Sequence, residues 1–248
     1  MHDPAAATLW VMAMEPEPEV QQRQLGRRVR TTEAAAVAGV VYAVLNFATR
    51  ALLSSVPDLD DPGIVDWFNN EDHQDQLLLA LNLTSVSTVA FLWFVAVIRR
   101  RVGDREDQFF GTVFVGSGIV LIVSTLLATA AAVSPAVAAR LLGAEELDSS
   151  DISVTTGLGG AVALVIAPRM QAVFIVSTST VVLRSRVLPV WLAWLGYGLG
   201  ALMFVVPFVT EPMGLVFPSW ILLVSIVVLI TRPRDLADEE APPTADRR

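Results

Sequence analysis

"FFGTVFVGSGIVLIVSTLLATAAAV", residues 109–133, carries no charged side chain over its whole length. An α-helix rises about 1.5 Å per residue, so roughly 20 such residues cross a ~30 Å hydrocarbon core, and this run has residues to spare. As a strand it would be about twice the length a barrel strand needs, and its apolar residues do not alternate. The stretch reads as a transmembrane helix, and the fold follows from finding others like it.

Working outward, Ala34–Leu53 and Leu77–Ile98 precede it, and Gly157–Leu183, Val190–Val209 and Met213–Ile230 follow. The last two are separated only by "TEP" at 210–212, a tight turn in which Pro212 opens the next helix. Composition agrees, since 54% of the 248 residues are hydrophobic and 17% charged, too apolar for a soluble domain. The expected fold class is all-α, a polytopic transmembrane bundle of six helices over residues 31–232. The flanks, 1–30 with "MEPEPEV" at 14–20 and 233–248 with "ADEEAPPTADRR" at 237–248, read as disordered. "AAATLWVMAM" at 5–14 is too short to span and lacks a basic n-region, so it does not read as a signal peptide; Met12 and Met14 are alternative starts to Met1.

The arginines set the orientation. Arg23, Arg27, Arg28 and Arg30 precede the first span, and Arg99, Arg100, Arg101 and Arg105 lie between the second and third. Arg184 and Arg186 follow the fourth, and Arg232 and Arg234 follow the sixth. The opposite loops hold only Arg140, so the positive-inside rule predicts both termini in the cytoplasm of a plasma-membrane protein. Trp93, Trp191 and Trp194 then fall near the cytoplasmic interface, and Trp67 and Trp220 near the outer one. The segment from Pro57 to Gln76 holds Asp58, Asp60, Asp61, Asp66, Glu71, Asp72 and Asp75 without a basic residue. "VPDLDDPG" at 56–63 reads as a turn and "IVDWFNNEDHQDQ" at 64–76 as a short interfacial helix. Ala136–Asp151 reads as a second surface helix, on the spacing of "AVAARLLGAEEL" at 136–147.

Several chemistries are excluded. With no cysteine there is no disulfide, thiolate nucleophile or Cys-based zinc site, and neither HExxH nor GxSxG occurs. No Asp or Glu lies deep in a span, which counts against a proton relay or an intramembrane aspartyl protease. In "NEDHQD" at 70–75 a helix would put Glu71 and Asp75 on one face, as a hard cation requires. An acidic outer loop is also what the charge asymmetry leaves behind, so no metal and no cofactor is assigned. "GYGLG" at 196–200 follows no strand and is not a nucleotide loop. Gly196 and Gly200 form a GxxxG spacing for close helix packing within the chain or between two copies, and Thr112 and Gly116 repeat the small-xxx-small spacing.

The polar residues inside the spans are the candidate site. Tyr42, Asn46 and Arg50 recur every four residues and share one helix face. Arg50 is close enough to the outer end to snorkel. Asn82, Thr84, Ser85, Ser87 and Thr88 add hydrogen-bonding groups in span two, and "STST" at 177–180 can bond back to its own helix. Arg169 stands about 20 Å from either end of span four at 1.5 Å per residue. A lipid-facing arginine at that depth costs between ~3 and ~15 kcal/mol, so it must face the bundle or a wet cavity. Pro168 leaves a carbonyl one turn earlier without its donor, and the Arg169 guanidinium is placed to serve it.

"FLWFVAVIRRRVG" at 91–103, "VFIVSTSTVVLRSRVLPVWLAWLGYGLG" at 173–200 and the acidic "DDPGIVDWF" at 60–68 resemble a set of six-helix bacterial, mainly actinobacterial, integral membrane proteins of unknown function. The resemblance implies the topology and carries over no catalytic residue. Two readings stay open. One is a permease or a solute- or lipid-binding protein with a polar centre from spans one, two and four, in which Arg169 contacts an anion beside Asn46, Arg50, Tyr42 and Asn82. The other is a non-catalytic subunit or scaffold whose polar cluster only fixes packing, and an enzyme ranks behind both. Arg50 and Arg169 sit in the first helix of each half, the placement an inverted repeat would give. The expected partners are the bilayer and either a second copy or a membrane subunit, and no nucleic acid.

Overall fold

The computed structural model describes residues 18–102, 108–143, 147–185, 188–206 and 211–230. In chain order the elements are α1 (Pro18–Leu53), α2 (Ile64–Asn69), α3 (Glu71–Val102), α4 (Gln108–Leu142), α5 (Ser149–Ala161), a π-helical turn (Val162–Ile166), α6 (Ala167–Ser185), α7 (Val190–Val205), α8 (Glu211–Gly214) and α9 (Val216–Ile230). No strand occurs among the described residues. Four stretches, Ala36–Leu53, Glu71–Arg99, Gly111–Leu142 and Ser149–Arg184, are long and apolar enough to cross a membrane. α7 and α9 are as apolar but shorter, at 16 and 15 residues. The outward faces carry large apolar side chains such as Val86, Val123, Phe204 and Ile230, the reverse of a soluble surface and the mark of a lipid-facing one.

Neighbours in sequence are mostly neighbours in space. α1 packs on α3, α3 on α4, α4 on α5 and α6, and α6 on α7; α9 returns to α1, and a light contact between α7 and α9 closes the circuit. Arg99 and Arg184 mark one end of the bundle, here the basic end. Glu71, Arg140 and Asp148 mark the opposite, acidic end.

The two ends are built differently. The main core fills the basic half around buried rings from five helices: Tyr42, Phe91, Phe94, Phe114, Phe174 and Phe217. Phe91 is the hub, with ring centroids 5.0 Å from Tyr42 and from Phe174 and 5.9 Å from Phe217. A second, smaller core at the acidic end gathers Ile64, Phe68, Leu77, Val133, Ala136, Leu147 and Ile152. It exists because α4 is 35 residues long, about 52 Å at 1.5 Å per residue, and so outruns any bilayer core. The segment from Ile64 to Gln76, expected as an interfacial helix, folds as α2 and the first turns of α3 against that extension.

Three expectations change. Of the surface helix expected at Ala136–Asp151, the part to Leu142 is the uninterrupted end of α4, which accommodates Pro135 and stops at Gly143, whose φ of 73° is the left-handed geometry that ends helices. The next helix begins at Ser149, capped by Asp148, whose carboxylate accepts from the backbone N–H of Ser150 and Asp151 at 2.7 and 2.9 Å. α1 begins at Pro18, inside the arm read as disordered, whereas 1–17 and the tail from 231 lie outside the described residues. Trp220 is not an interfacial residue: it is 2% exposed, in the main core. Trp93, Trp191 and Trp194, at the basic end, are exposed.

Candidate functional site: a polar layer between two cores

Between the two apolar cores lies a band where buried residues are small or polar. α3 contributes Thr84, Ser87 and Thr88, α4 contributes Ser124 and Thr129, and α1 contributes Thr49, all buried, with Asn46 half-buried beside it. Contacts on either side fix the height. Tyr42 meets Phe91 below the band, and Gln76 Nε2 donates to Leu52 O at 2.6 Å above it, which sets Asn46 opposite Thr84. α1 and α9 run antiparallel, with Gly39 against Ser225 and Arg50 against Gly214, so Trp220 faces the turn of α1 that ends at Asn46.

The hydroxyls of α3 satisfy themselves. Thr84 Oγ1 donates to Ala80 O at 2.9 Å, Ser87 Oγ to Thr84 O at 2.9 Å and Thr88 Oγ1 to Ser85 O at 2.8 Å. Four other polar atoms do not. Asn46 Oδ1, Thr49 Oγ1, Thr156 Oγ1 on α5 and Trp220 Nε1 are buried without a hydrogen-bond partner. Such atoms are rare in folded interiors, because each forfeits its hydration for nothing, at about 1–3 kcal/mol.

The structure keeps Tyr42, Asn46 and Arg50 on one face but gives them separate surroundings. Tyr42 is a buried member of the aromatic cluster beneath the layer, and Asn46 is in the layer. The Arg50 guanidinium lies over Gly214, just before α9, where a Cβ would overlap it. Asn82 leaves the site. It is exposed, and its Nδ2 donates to Leu78 O at 2.8 Å on its own helix, because two residues of helix turn it away from Thr84.

Arg169 is half-buried, and its Nη1 donates to Val165 O at 2.7 Å, one turn earlier on its own helix. Val165 lies in the π turn, where Ala167 N–H reaches Val162 O, just before Pro168. Asn46 Oδ1 does not receive this guanidinium. The centre expected from spans one, two and four is thus a layer drawn also from α4. Thr49, Ser124, Thr129 and Thr156 were missed because a lone hydroxyl in an apolar helix carries no sequence signal; Thr49 alone was findable, one position from the Asn46–Arg50 stripe.

Gly196 and Gly200 bring α7 onto α6: a Cβ on Gly196 would overlap Ser179 Oγ, and one on Gly200 would sit 2.6 Å from Val176 Cγ2 and 3.2 Å from Ala172 O. Thr112 and Gly116 are both exposed, and nothing lies within 4 Å of a Cβ on Gly116. At the acidic end Glu71 and Asp75 do share a face, and Arg140 fills it, with Nε 3.0 Å from Asp75 Oδ1 and Nη1 3.3 Å from Glu71 Oε2. His73 stacks on Trp67 at 4.3 Å and its Nδ1 meets Trp67 O at 3.0 Å. Among the described residues no group of three or more metal-ligating side chains converges. No family model, curated protein or solved structure matches the chain.

Proposed function

We propose that the chain is a six-span plasma-membrane protein, basic end in the cytoplasm, that binds a small or amphiphilic solute in the polar layer. The single observation behind this is the group of buried, unpartnered polar atoms at Asn46, Thr49 and Trp220. A bound molecule offering both donors and acceptors would complete them: Asn46 Oδ1 needs a donor and Trp220 Nε1 an acceptor. No catalytic role is assigned to any residue.

A second reading, a scaffold whose layer only fixes helix packing, draws on the self-satisfied hydroxyls of Thr84, Ser87 and Thr88. The two separate on one experiment. Asn46→Leu with Thr49→Val removes two orphan atoms at little change in volume. A binding protein purified gently from its own membrane releases a stoichiometric small molecule that this variant lacks. A scaffold yields no such molecule, and its variant unfolds at a higher temperature because two unpaired polar atoms are gone.

A further inference from the structure

One face of α1 is turned to α9, and contacts fix both its ends. Gly39 lies against Ser225 and Arg50 against Gly214, with the same number of residues between the contacts on each helix. Between them, steps of four, three and four residues put Ala43 and Asn46 on that face. Trp220 stands opposite, on the stretch of α9 between Gly214 and Ser225, and fully buried Ala43 leaves room for its indole. Thr49 comes three residues after Asn46 and almost two turns after Tyr42, so it lies nearly in line with Tyr42 along the helix. The Tyr42 ring meets Phe91 of α3 at 5.0 Å and Phe217 of α9 at 6.2 Å, so this line of α1 faces the junction of the three helices.

Three orphan atoms thus border one seam. Thr49 is 6% exposed and Trp220 2%, and Thr49 Oγ1, Trp220 Nε1 and Asn46 Oδ1 all lack a hydrogen-bond partner. Their chemistry narrows what could complete them. An indole N–H only donates, an amide oxygen only accepts, and a threonine hydroxyl does both. An anion would set its charge against the Asn46 lone pairs, and a cation against the indole N–H. Either ion would also shed its hydration for three neutral dipoles. A hydroxyl has one donor and two lone pairs, the complement of this set. It donates to Asn46 Oδ1 and accepts from Trp220 Nε1 and Thr49 Oγ1. Turning the Asn46 amide over keeps the match, because the hydroxyl then accepts from Nδ2 and donates to Thr49 Oγ1.

We propose that the α1–α9 seam holds the hydroxyl of an uncharged alcohol, bonded by Asn46, Thr49 and Trp220. This rests on the binding reading above and names its ligand class.

The full chain in detergent, washed free of co-purified small molecules, is titrated with n-butanol, n-butyrate and n-butylammonium, which share a skeleton and differ in head group. The readout is the ultraviolet resonance Raman band that reports indole N–H hydrogen bonding. The difference between wild type and Trp220→Phe isolates this one tryptophan of the six. Butanol strengthens the bond saturably, and the two ions leave it unchanged. Thr49→Val, close in volume to the native side chain, weakens butanol binding about tenfold, as loss of one hydrogen bond to a buried group predicts. Thr49→Ser, which keeps the hydroxyl, retains most of the binding, and Asn82→Ala, outside the layer, retains all of it. Raising salt from about 0.1 to about 1 M changes nothing, because no net charge is involved. A saturable response to either ion in place of butanol overturns the hydroxyl assignment and leaves the binding reading standing. A charged molecule released from the natively purified protein does the same. A Trp220 band that is already hydrogen-bonded after washing, and indifferent to all three probes, assigns the seam to water and overturns both. A band that shows no bond and never responds overturns this proposal alone if Asn46→Leu with Thr49→Val still loses a co-purified molecule, and both if it does not.

Discussion

Gly200 shows how narrowly one residue can be constrained in this bundle. A methyl group there would press on Val176 Cγ2 and on the Ala172 carbonyl, and backbone does not give way. Gly200→Ala should therefore lower stability in detergent by about 1–3 kcal/mol, the usual cost of overpacking. Gly198→Ala, two residues away with nothing within 4 Å, should leave the melting temperature unchanged or slightly raised. Asp148 gives a prediction in pH. Backbone and side-chain hydrogen bonds from Asp151 and Ser150 hold its carboxyl below the usual carboxylate range. A depressed folded pKa stabilises above the unfolded value of about 4 and loses that effect as pH falls through the folded value. Asp148→Asn keeps a capping acceptor without the titration, so its melting curves should lose less than wild type's between pH 5 and about 2.

At the scale of elements, the α5–α6 rod is the part where sequence chemistry and geometry interlock most closely. A proline removes one backbone donor, the π turn takes up the misfit, and the guanidinium next door bonds a carbonyl of that turn. The two side chains should then be coupled. Arg169→Leu should destabilise the native helix, yet cost at least about 1 kcal/mol less in a Pro168→Ala background, where the backbone serves itself. A double-mutant cycle of thermal unfolding in detergent measures this; strict additivity would mean the arginine does nothing for the distorted turn. The α3–α4 pairing at the acidic end rests on different physics. Arg140, Glu71 and Asp75 are all exposed, so the coupling between Arg140→Gln and Asp75→Asn should shrink as salt rises from 0.1 to about 1 M.

For the molecule as a whole, the arginine distribution and the two unlike cores lead to one arrangement. Reporters that fold only in the cytoplasm should be active when fused after Arg101 and at both termini, and silent after Asp61 and Asp148. Activity in the acidic loop would reverse the orientation. The same asymmetry predicts that the cap formed by α2 and the ends of α3, α4 and α5 projects into water as one unit. Its mixed surface, with exposed Asp58, Asp60, Asp66, Asp72 and Arg140, fits that setting.

Much of this was legible in the chain alone, because a bilayer imposes one-dimensional rules. Helix length, the run of uncharged residues, and arginines on alternate loops depend on position along the chain and not on neighbours. The close contacts of Gly196 and Gly200 fall in the same class, since small size is a local property. What the sequence could not supply is anything measured across helices. Asn82 and Thr84 are two residues apart and equally polar, and only packing decides that one faces outward and the other inward. The helical continuation through Pro135 depends on a second core assembled from α2, α3 and α5. Arg169 is the clearest case. Its position along the helix is fixed by counting, but that its guanidinium turns back to Val165 O, in a π turn, is decided only once the chain has folded.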